Sequence, residues 1–151
     1  MKRIVSLAAI VVLMSSAAAV ARDKGEPRAC TTETLEGSYG ISISGGRPAA
    51  NFPPGTSEQI IGVGVQTFDG DGNVTQTTIE KGSLNGLGPA RNATGTYTVN
   101  ADCTGAITLH VVGVPFAVVF DIVIVNRGRE IDAFVASPAA SMVSTVAKRV
   151  N

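Results

Sequence analysis

The chain is poor in the residues on which many functional sites depend. Among its 151 residues there is no tryptophan, and there are only two tyrosines, two cysteines and a single histidine. Too few aromatic residues are present for the girdles of an outer-membrane barrel, so we expect no stable membrane insertion. With one histidine and two cysteines that we expect to be oxidised, no metal site is predicted. No cofactor is predicted either, because the chain contains no phosphate-binding loop, CxxC pair or serine-hydrolase elbow.

Charge is scarce and balanced. Charged residues make up 16% of the chain, and 12 basic residues offset 12 acidic ones. Lys2 and Arg3 would leave with an N-terminal signal, which gives the remaining chain a net charge of −2. This balance provides no electrostatic reason to expect nucleic acid or an anionic membrane surface as a partner.

The N-terminus has the pattern of a secretory signal peptide. Lys2 and Arg3 precede an apolar run, Ile4 to Met14, and an Ala-x-Ala site ends at Ala21. We therefore predict a signal peptide over 1–21, rather than a buried N-terminal helix, and export to the periplasm or the extracellular medium. Residues 22–37 read as a flexible leader with one short turn, and 38–151 as a single domain.

Alternating apolar and polar residues predict strands throughout this domain, and no amphipathic helix of useful length appears. The clearest signal is a hairpin in which two alternating runs flank the Asp-Gly turn of Asp69–Asn73. Eight strands joined mostly by short turns predict an all-β, antiparallel up-and-down barrel, whose closure removes exposed edges. The predicted strands are 38–44, 59–68, 74–81, 93–100, 106–112, 116–126, 129–136 and 142–150.

The order of the connections predicts a disulfide between Cys30 and Cys103. An even cysteine count in an exported chain indicates pairing. In an up-and-down barrel the long loops 45–58 and 82–92 lie at one end, and the start of the first strand lies at the other. Cys30 precedes that strand, and Cys103 lies in a turn at the same end. We expect a closed end at the disulfide and an open mouth between the two long loops.

The sixth predicted strand, 116–126, is apolar on both faces. Its inner and outer faces cannot be distinguished from the pattern alone, and Asp121 lies among the apolar residues of one face. A barrel in water normally presents polar residues outside, so a second copy of the chain is a candidate cover for this surface. Ordinary exposure of alanine and valine is the alternative.

The sequence of the hairpin also matches part of the calcium-binding loop motif. Asp69, Asp71, Asn73 and Glu80 match ligand positions of that motif. Val74, however, stands where the motif needs glycine, and strands flank the loop. We interpret the segment as a hairpin turn that uses its glycines.

Several motifs together resemble a largely uncharacterised group of small secreted bacterial proteins with a calycin or allene-oxide-cyclase-like barrel. The motifs that carry the resemblance are Cys30 with Leu35–Gly40, Thr67–Asn73, Gly95–Asn100, Asp102–Gly105 and Arg129–Ile131. The resemblance covers nearly all of the exported chain, and its motifs are turn and closure motifs, so they concern fold more than activity. The resemblance implies an eight-stranded barrel with an apolar cavity and frequent oligomerisation. No catalytic residue of the plant cyclases transfers to this sequence.

Five residues are candidates for a site. His110 and Asp121 are the candidate catalytic groups, as a base or acid, if they project into the barrel. Tyr39, Tyr97 and Phe120 are the candidate ligand-binding residues, because aromatic side chains can line a pocket and a tyrosine adds a hydroxyl. The alternatives are surface positions for the first two and ordinary barrel packing for the aromatic residues.

We therefore expect an exported barrel that binds a small hydrophobic or amphipathic molecule in its interior. One alternative is a cyclase or isomerase that folds a bound hydrophobic substrate into a reactive shape. The other is a structural or surface-interaction protein whose barrel is filled by its own side chains. A cavity separates the last alternative from the first two.

Overall fold

A computed structural model describes residues 29–150. The predicted signal peptide and residues 22–28 of the predicted leader lie outside the described residues. The described part begins with a 3₁₀ turn, Thr32–Leu35, where the sequence predicted one helical turn. No helix within residues 29–150 is long and apolar enough to cross a membrane.

The rest of the described chain forms an antiparallel barrel. Each long strand pairs with its neighbour in sequence, and the first pairs with the last, so the sheet closes on itself. This confirms the all-β class and the eight-stranded up-and-down barrel. The strands are β1 (Gly37–Pro48), β2 (Ser57–Phe68), β3 (Asn73–Gly82), β4 (Gly86–Leu87), β5 (Arg91–Val99), β6 (Thr104–Val111), β7 (Val118–Val125), β8 (Glu130–Ser137) and β9 (Met142–Arg149).

Two differences from the prediction lie at the mouth. The two-residue strand β4 lies inside the predicted loop 82–92 and pairs with the end of β3. Strand β1 continues to Pro48, four residues past its predicted end, because its pairing with β2 extends to the Arg47–Glu58 and Pro48–Ser57 positions. Gly45 permits this extension, since its φ of 145° suits glycine and a Cβ there would overlap the Met142 carbonyl. The glycine-rich composition of this segment predicted a loop, but its residues form strand because they pair with β2.

The connections divide the barrel into two ends. The closed end carries the β2–β3, β5–β6 and β7–β8 connections together with the 3₁₀ turn, and the open end carries the other five connections. An apolar plug fills the closed end. Phe68 packs edge-to-face between two tyrosine rings, with centroids 5.4 Å from Tyr39 and 4.9 Å from Tyr97. Leu35 and Val74 complete the plug, and these five side chains are at most 3% exposed.

The disulfide and an arginine tie the closed end together. Cys30 and Cys103 are bonded, with their Cα atoms 5.0 Å apart, as the sequence predicted. The Arg149 guanidinium, at the end of β9, donates to the carbonyls of Thr34 at 3.0 Å and Gly128 at 3.3 Å and also to that of Glu36. The turn before β1 is therefore anchored on both sides, by a covalent bond and by a charged hydrogen-bonding group.

Candidate ligand-binding cavity

A cavity of about 530 Å³ lies between the plug and the open end. Strands β6 to β9 provide an almost wholly apolar wall, because their inward positions are occupied by aliphatic residues and one phenylalanine. Thr145 is the polar exception. The apolar lining residues on these strands are Ile107, Leu109, Val111, Val118, Phe120, Ile131, Ala133, Val135, Val143 and Ala147.

The opposite wall, on β2 and β3, carries polar side chains next to Ile60. Gln66 of β2 and Gln76 and Thr78 of β3 line the cavity, and Gln66 Nε2 donates to Gln76 Oε1 at 3.0 Å. Gln66 and Thr78 are 6% and 4% exposed. Register explains this side-by-side position, since Gln66 and Gln76 are direct cross-strand partners. The cavity is thus amphipathic, with an apolar wall facing hydrogen-bonding groups.

An ion-paired cluster stands at the mouth. Arg47 Nε lies 3.1 Å from Glu58 Oε1, and Arg47 Nη1 lies 2.6 Å from Glu80 Oε2. The other oxygen of Glu58 accepts from Asn85, at 3.3 Å from its backbone nitrogen and 3.1 Å from its side-chain Nδ2. One guanidinium therefore joins the ends of β1, β2 and β3, and Asn85 attaches the β3–β4 turn to the same carboxylate.

Glu58 is ionised despite being buried. Burial raises the pKa of this carboxyl group, but hydrogen bonds from Asn85 and Arg47 outweigh it and hold the pKa below its ordinary value. The carboxylate fits because Gly82 faces it, and a Cβ at Gly82 would overlap Glu58 Oε2. Neither Arg47 nor Glu58 was identified from the sequence, since both fell in a predicted loop. The alternation of β3 did place Glu80 on the same face as Gln76 and Thr78, and this was the available signal.

Of the three predicted ligand-binding residues, one lines the cavity. Phe120 lies in the apolar wall. Tyr39 and Tyr97 belong to the plug, where their hydroxyls donate to the carbonyls of Gly128 and Thr32. Burial raises the pKa of both tyrosines, although Arg149 opposes this at Tyr39. The two tyrosines close the barrel floor and are not among the residues that line the cavity.

The two predicted catalytic candidates project outward. His110 on β6 and Asp121 on β7 are both exposed, while their sequence neighbours Leu109 and Ile122 are buried inside. The condition attached to both candidates, projection into the barrel, is therefore not met. Their positions differ from the expectation because strand alternation fixes which residues share a face but not which face is inside.

The Asp69–Asn73 segment is a hairpin turn, as interpreted from the sequence. Asp69 Oδ1 accepts from the backbone nitrogens of Asp71 at 2.8 Å and Asn73 at 2.9 Å, and Oδ2 accepts from Asn73 Nδ2 at 2.6 Å. Hydrogen bonds from Asn73 hold the pKa of Asp69 below its ordinary value. Glu80, the last match to the calcium motif, instead pairs with Arg47 at the other end of the barrel.

The outer face of β7 carries the apolar residues that suggested a subunit contact. Val123 is 48% exposed, and Phe134 on β8 and Val146 on β9 are 55% and 37% exposed nearby. The predicted contact between two copies of the chain stays a prediction.

Fold and cavity together define a small closed β-barrel with an amphipathic interior. No protein-family model matches the chain. No match with a curated protein is found either. One similar solved structure is described as "Crystal Structure of Rv2717c from M. tuberculosis"; it is 16% identical, covers 78% of this chain and 94% of that chain, and superposes with a TM-score of 0.39. A similarity this distant carries no functional argument, and the resemblance to calycin or allene-oxide-cyclase-like barrels stays a prediction.

Proposed function

We propose that the protein binds a small amphipathic molecule inside its barrel. The observation that carries this proposal is the cavity of about 530 Å³ that opens at one end. Its volume falls within the range of about 300 to 1,000 Å³ that is usual for small-molecule sites, and such sites are mostly apolar with a few placed polar groups. The apolar wall of β6–β9 and the polar wall of β2–β3 have this composition.

The alternatives from the sequence receive less support. A barrel filled by its own side chains would leave no room for a cavity of this size. A cyclase or isomerase that folds its substrate into a reactive shape receives no help from His110 and Asp121, which both face outward, or from the two tyrosines, which belong to the plug. Binding is the function that the cavity supports without further assumptions.

We further propose that the protein works outside the cytoplasm. The Cys30–Cys103 disulfide supports this location, because such bonds persist mainly in oxidising compartments. The N-terminal signal pattern, which lies outside the described residues, agrees with it.

The proposal is tested with the uncharged fluorescent probe N-phenyl-1-naphthylamine and a pair of matched variants. The chain has no tryptophan, so protein fluorescence does not obscure the probe. Ala133→Phe places a ring in the apolar wall, whereas Ala136→Phe places the same ring on the exposed side of the same strand. We expect the wild type and Ala136→Phe to bind the probe, and Ala133→Phe to bind it about tenfold more weakly or not at all.

Circular dichroism and melting curves establish that both variants are folded. If folded Ala133→Phe protein binds the probe as tightly as the wild type does, the probe binds outside the cavity. A wild type that binds no probe, and that shows no retained small molecule by native mass spectrometry, would refute the proposal.

A further inference from the structure

Strand β2 presents apolar residues to the outside, while polar residues of β2 and β3 line the inside. Their inward positions include Gln66, Gln76 and Thr78. The outward residues Ile61, Val63 and Val65 of β2 are 63%, 65% and 50% exposed. A barrel that only needed a core would place these residues the other way round, because burying an amide without a complete set of partners opposes folding.

The glutamine pair has hydrogen-bonding capacity left over. Each side-chain amide offers two donor hydrogens and one acceptor oxygen. The bond from Gln66 Nε2 to Gln76 Oε1 leaves Gln66 Oε1 as an acceptor and Gln76 Nε2 as a donor, together with the second hydrogen of Gln66 Nε2. Among the described residues, no fully buried side-chain nitrogen or oxygen lacks a partner, so Gln66 Oε1 and Gln76 Nε2 reach open space. Both residues line the cavity, and that space is therefore the cavity itself.

The pair lies deep in the barrel. Gln66 is the cross-strand partner of Tyr39, and Phe68 and Val74 of the plug are two residues further along β2 and β3. A ligand's polar group must therefore descend to the floor of the cavity to meet the amides, while its apolar part contacts the wall of β6–β9. Burial beside an apolar wall strengthens such hydrogen bonds, because water competes with them less.

The charges of the lining do not favour an ion. Arg47 is already paired with both Glu58 and Glu80, which leaves this cluster with one more negative than positive charge. Arg91 on β5 is the other cationic lining residue, and its side chain is exposed at the rim. Arg91 balances the excess negative charge at Arg47, so the charges of the lining sum to zero, and a headgroup of either sign would lose water at the floor, where both glutamine amides are neutral.

We infer that the ligand is an uncharged amphipathic molecule whose hydroxyl or amide group hydrogen-bonds to both Gln66 and Gln76. Such a group is both a donor and an acceptor, and it matches the free oxygen and the free hydrogens of the pair. A carboxylate only accepts and would leave Gln66 Oε1 unmatched, whereas an ammonium only donates and would leave the free amide hydrogens unmatched. This inference rests on the proposed function and adds the chemical class of the ligand.

The test compares three ten-carbon compounds as competitors for bound N-phenyl-1-naphthylamine near neutral pH, below their aggregation concentrations. The compounds are 1-decanol, decanoate and decylammonium. We expect 1-decanol to displace half of the probe at a concentration about tenfold lower than either ion. Equal or stronger displacement by decanoate or decylammonium would overturn the inference, and this comparison uses only the wild-type protein.

A double variant tests the two glutamines directly. Gln66→Leu with Gln76→Leu removes both amides together, so neither is left unpaired, and Gln59→Leu on the outer face of β2 is the control. We expect the double variant to keep the apolar probe, and to need about tenfold more 1-decanol for displacement. An unchanged preference for 1-decanol in the folded double variant would overturn the role of the pair. A wild type that neither binds N-phenyl-1-naphthylamine nor retains a small molecule in native mass spectrometry would instead refute the proposed function.

Discussion

Glu58 combines almost complete burial with ionisation, and its surroundings account for both. Its side chain is 1% exposed, yet Arg47 and Asn85 supply hydrogen bonds to both of its oxygens. A buried carboxylate is tolerated when it is paired and hydrogen-bonded. This cluster holds the ends of three strands together at the open end, where the barrel has no plug.

The pKa of Glu58 gives a prediction for stability against pH. Because its pKa in the folded protein lies below the ordinary value of 4.5, ionised Glu58 stabilises the fold above that value. The stabilisation is lost as pH falls through the lower, folded-state pKa. We expect Glu58→Gln to reduce the free energy of unfolding by about 1.5 to 3 kcal/mol at neutral pH, the strength of a hydrogen bond to a charged group.

Urea denaturation at a series of pH values measures this effect. The difference between wild type and Glu58→Gln should shrink below pH 4.5. Glu130→Gln is the control, because its partner Lys148 is 71% exposed and 3.9 Å away, and such surface pairs contribute little. A difference that stays constant from neutral pH to well below 4.5 would contradict the assignment.

At the scale of the elements, the two ends of the barrel are stabilised by different means. The closed end is held by packing, since the 3₁₀ turn and the ends of β1, β2, β3 and β5 supply the plug. The open end is held by the ion-paired cluster around Arg47 and by the β3–β4 turn. This division keeps the cavity accessible from one side while the opposite side provides a hydrophobic core.

Removing the central ring of the plug should destabilise the folded protein. Phe68 is 1% exposed, and Phe68→Ala should lower the free energy of unfolding by about 3 to 5 kcal/mol through lost burial and the void left behind. Phe134→Ala, on the outer face of β8 at 55% exposure, is the matched control and should change it by less than about 1 kcal/mol. Denaturant unfolding curves compare the two, and similar losses for both variants would mean that the plug is not the core.

At the scale of the whole molecule, closure and the disulfide act together. Pairing of β1 with β9 joins the first strand to the last, and the disulfide fixes the segment before β1 to the β5–β6 turn. The cross-linked residues are 73 apart in sequence, so the bond restricts a large part of the unfolded chain. In the chain-entropy account, a disulfide that closes a longer loop stabilises the folded protein more.

Loss of the disulfide should therefore be measurable in an otherwise intact barrel. We expect the Cys30→Ser, Cys103→Ser double variant to lose about 2 to 5 kcal/mol of unfolding free energy and to retain the strand spectrum in circular dichroism. The intact mass of the wild type should be two hydrogens lower than that of the reduced protein. A wild-type mass that does not change on reduction would contradict the bond.

The sequence alone determined the barrel, because its signals are local. Period-two alternation, the Asp69–Asn73 turn and the cysteine positions each depend on residues close in sequence or on simple counting of connections. These signals predicted the eight long strands, the position of the disulfide and the two ends. They also predicted that Asp69–Asn73 is a hairpin turn rather than a calcium-binding loop, since Val74 occupies a position where the calcium-binding motif needs glycine.

Only the tertiary structure decided which strand faces point inward, and hence which residues form the site. Alternation groups residues by face, but a strand with apolar residues on both sides, such as β7, gives no choice between the faces. Barrel closure placed His110 and Asp121 outside, put Tyr39 and Tyr97 in the plug, and brought Gln66, Gln76, Glu58 and Glu80 inside. The mouth cluster also depends on β1 and β2 continuing to pair at Arg47 and Glu58, a contact between strands that composition predicted to be loop. Side-chain chemistry is local, whereas the inside of a barrel exists only once all eight strands have closed.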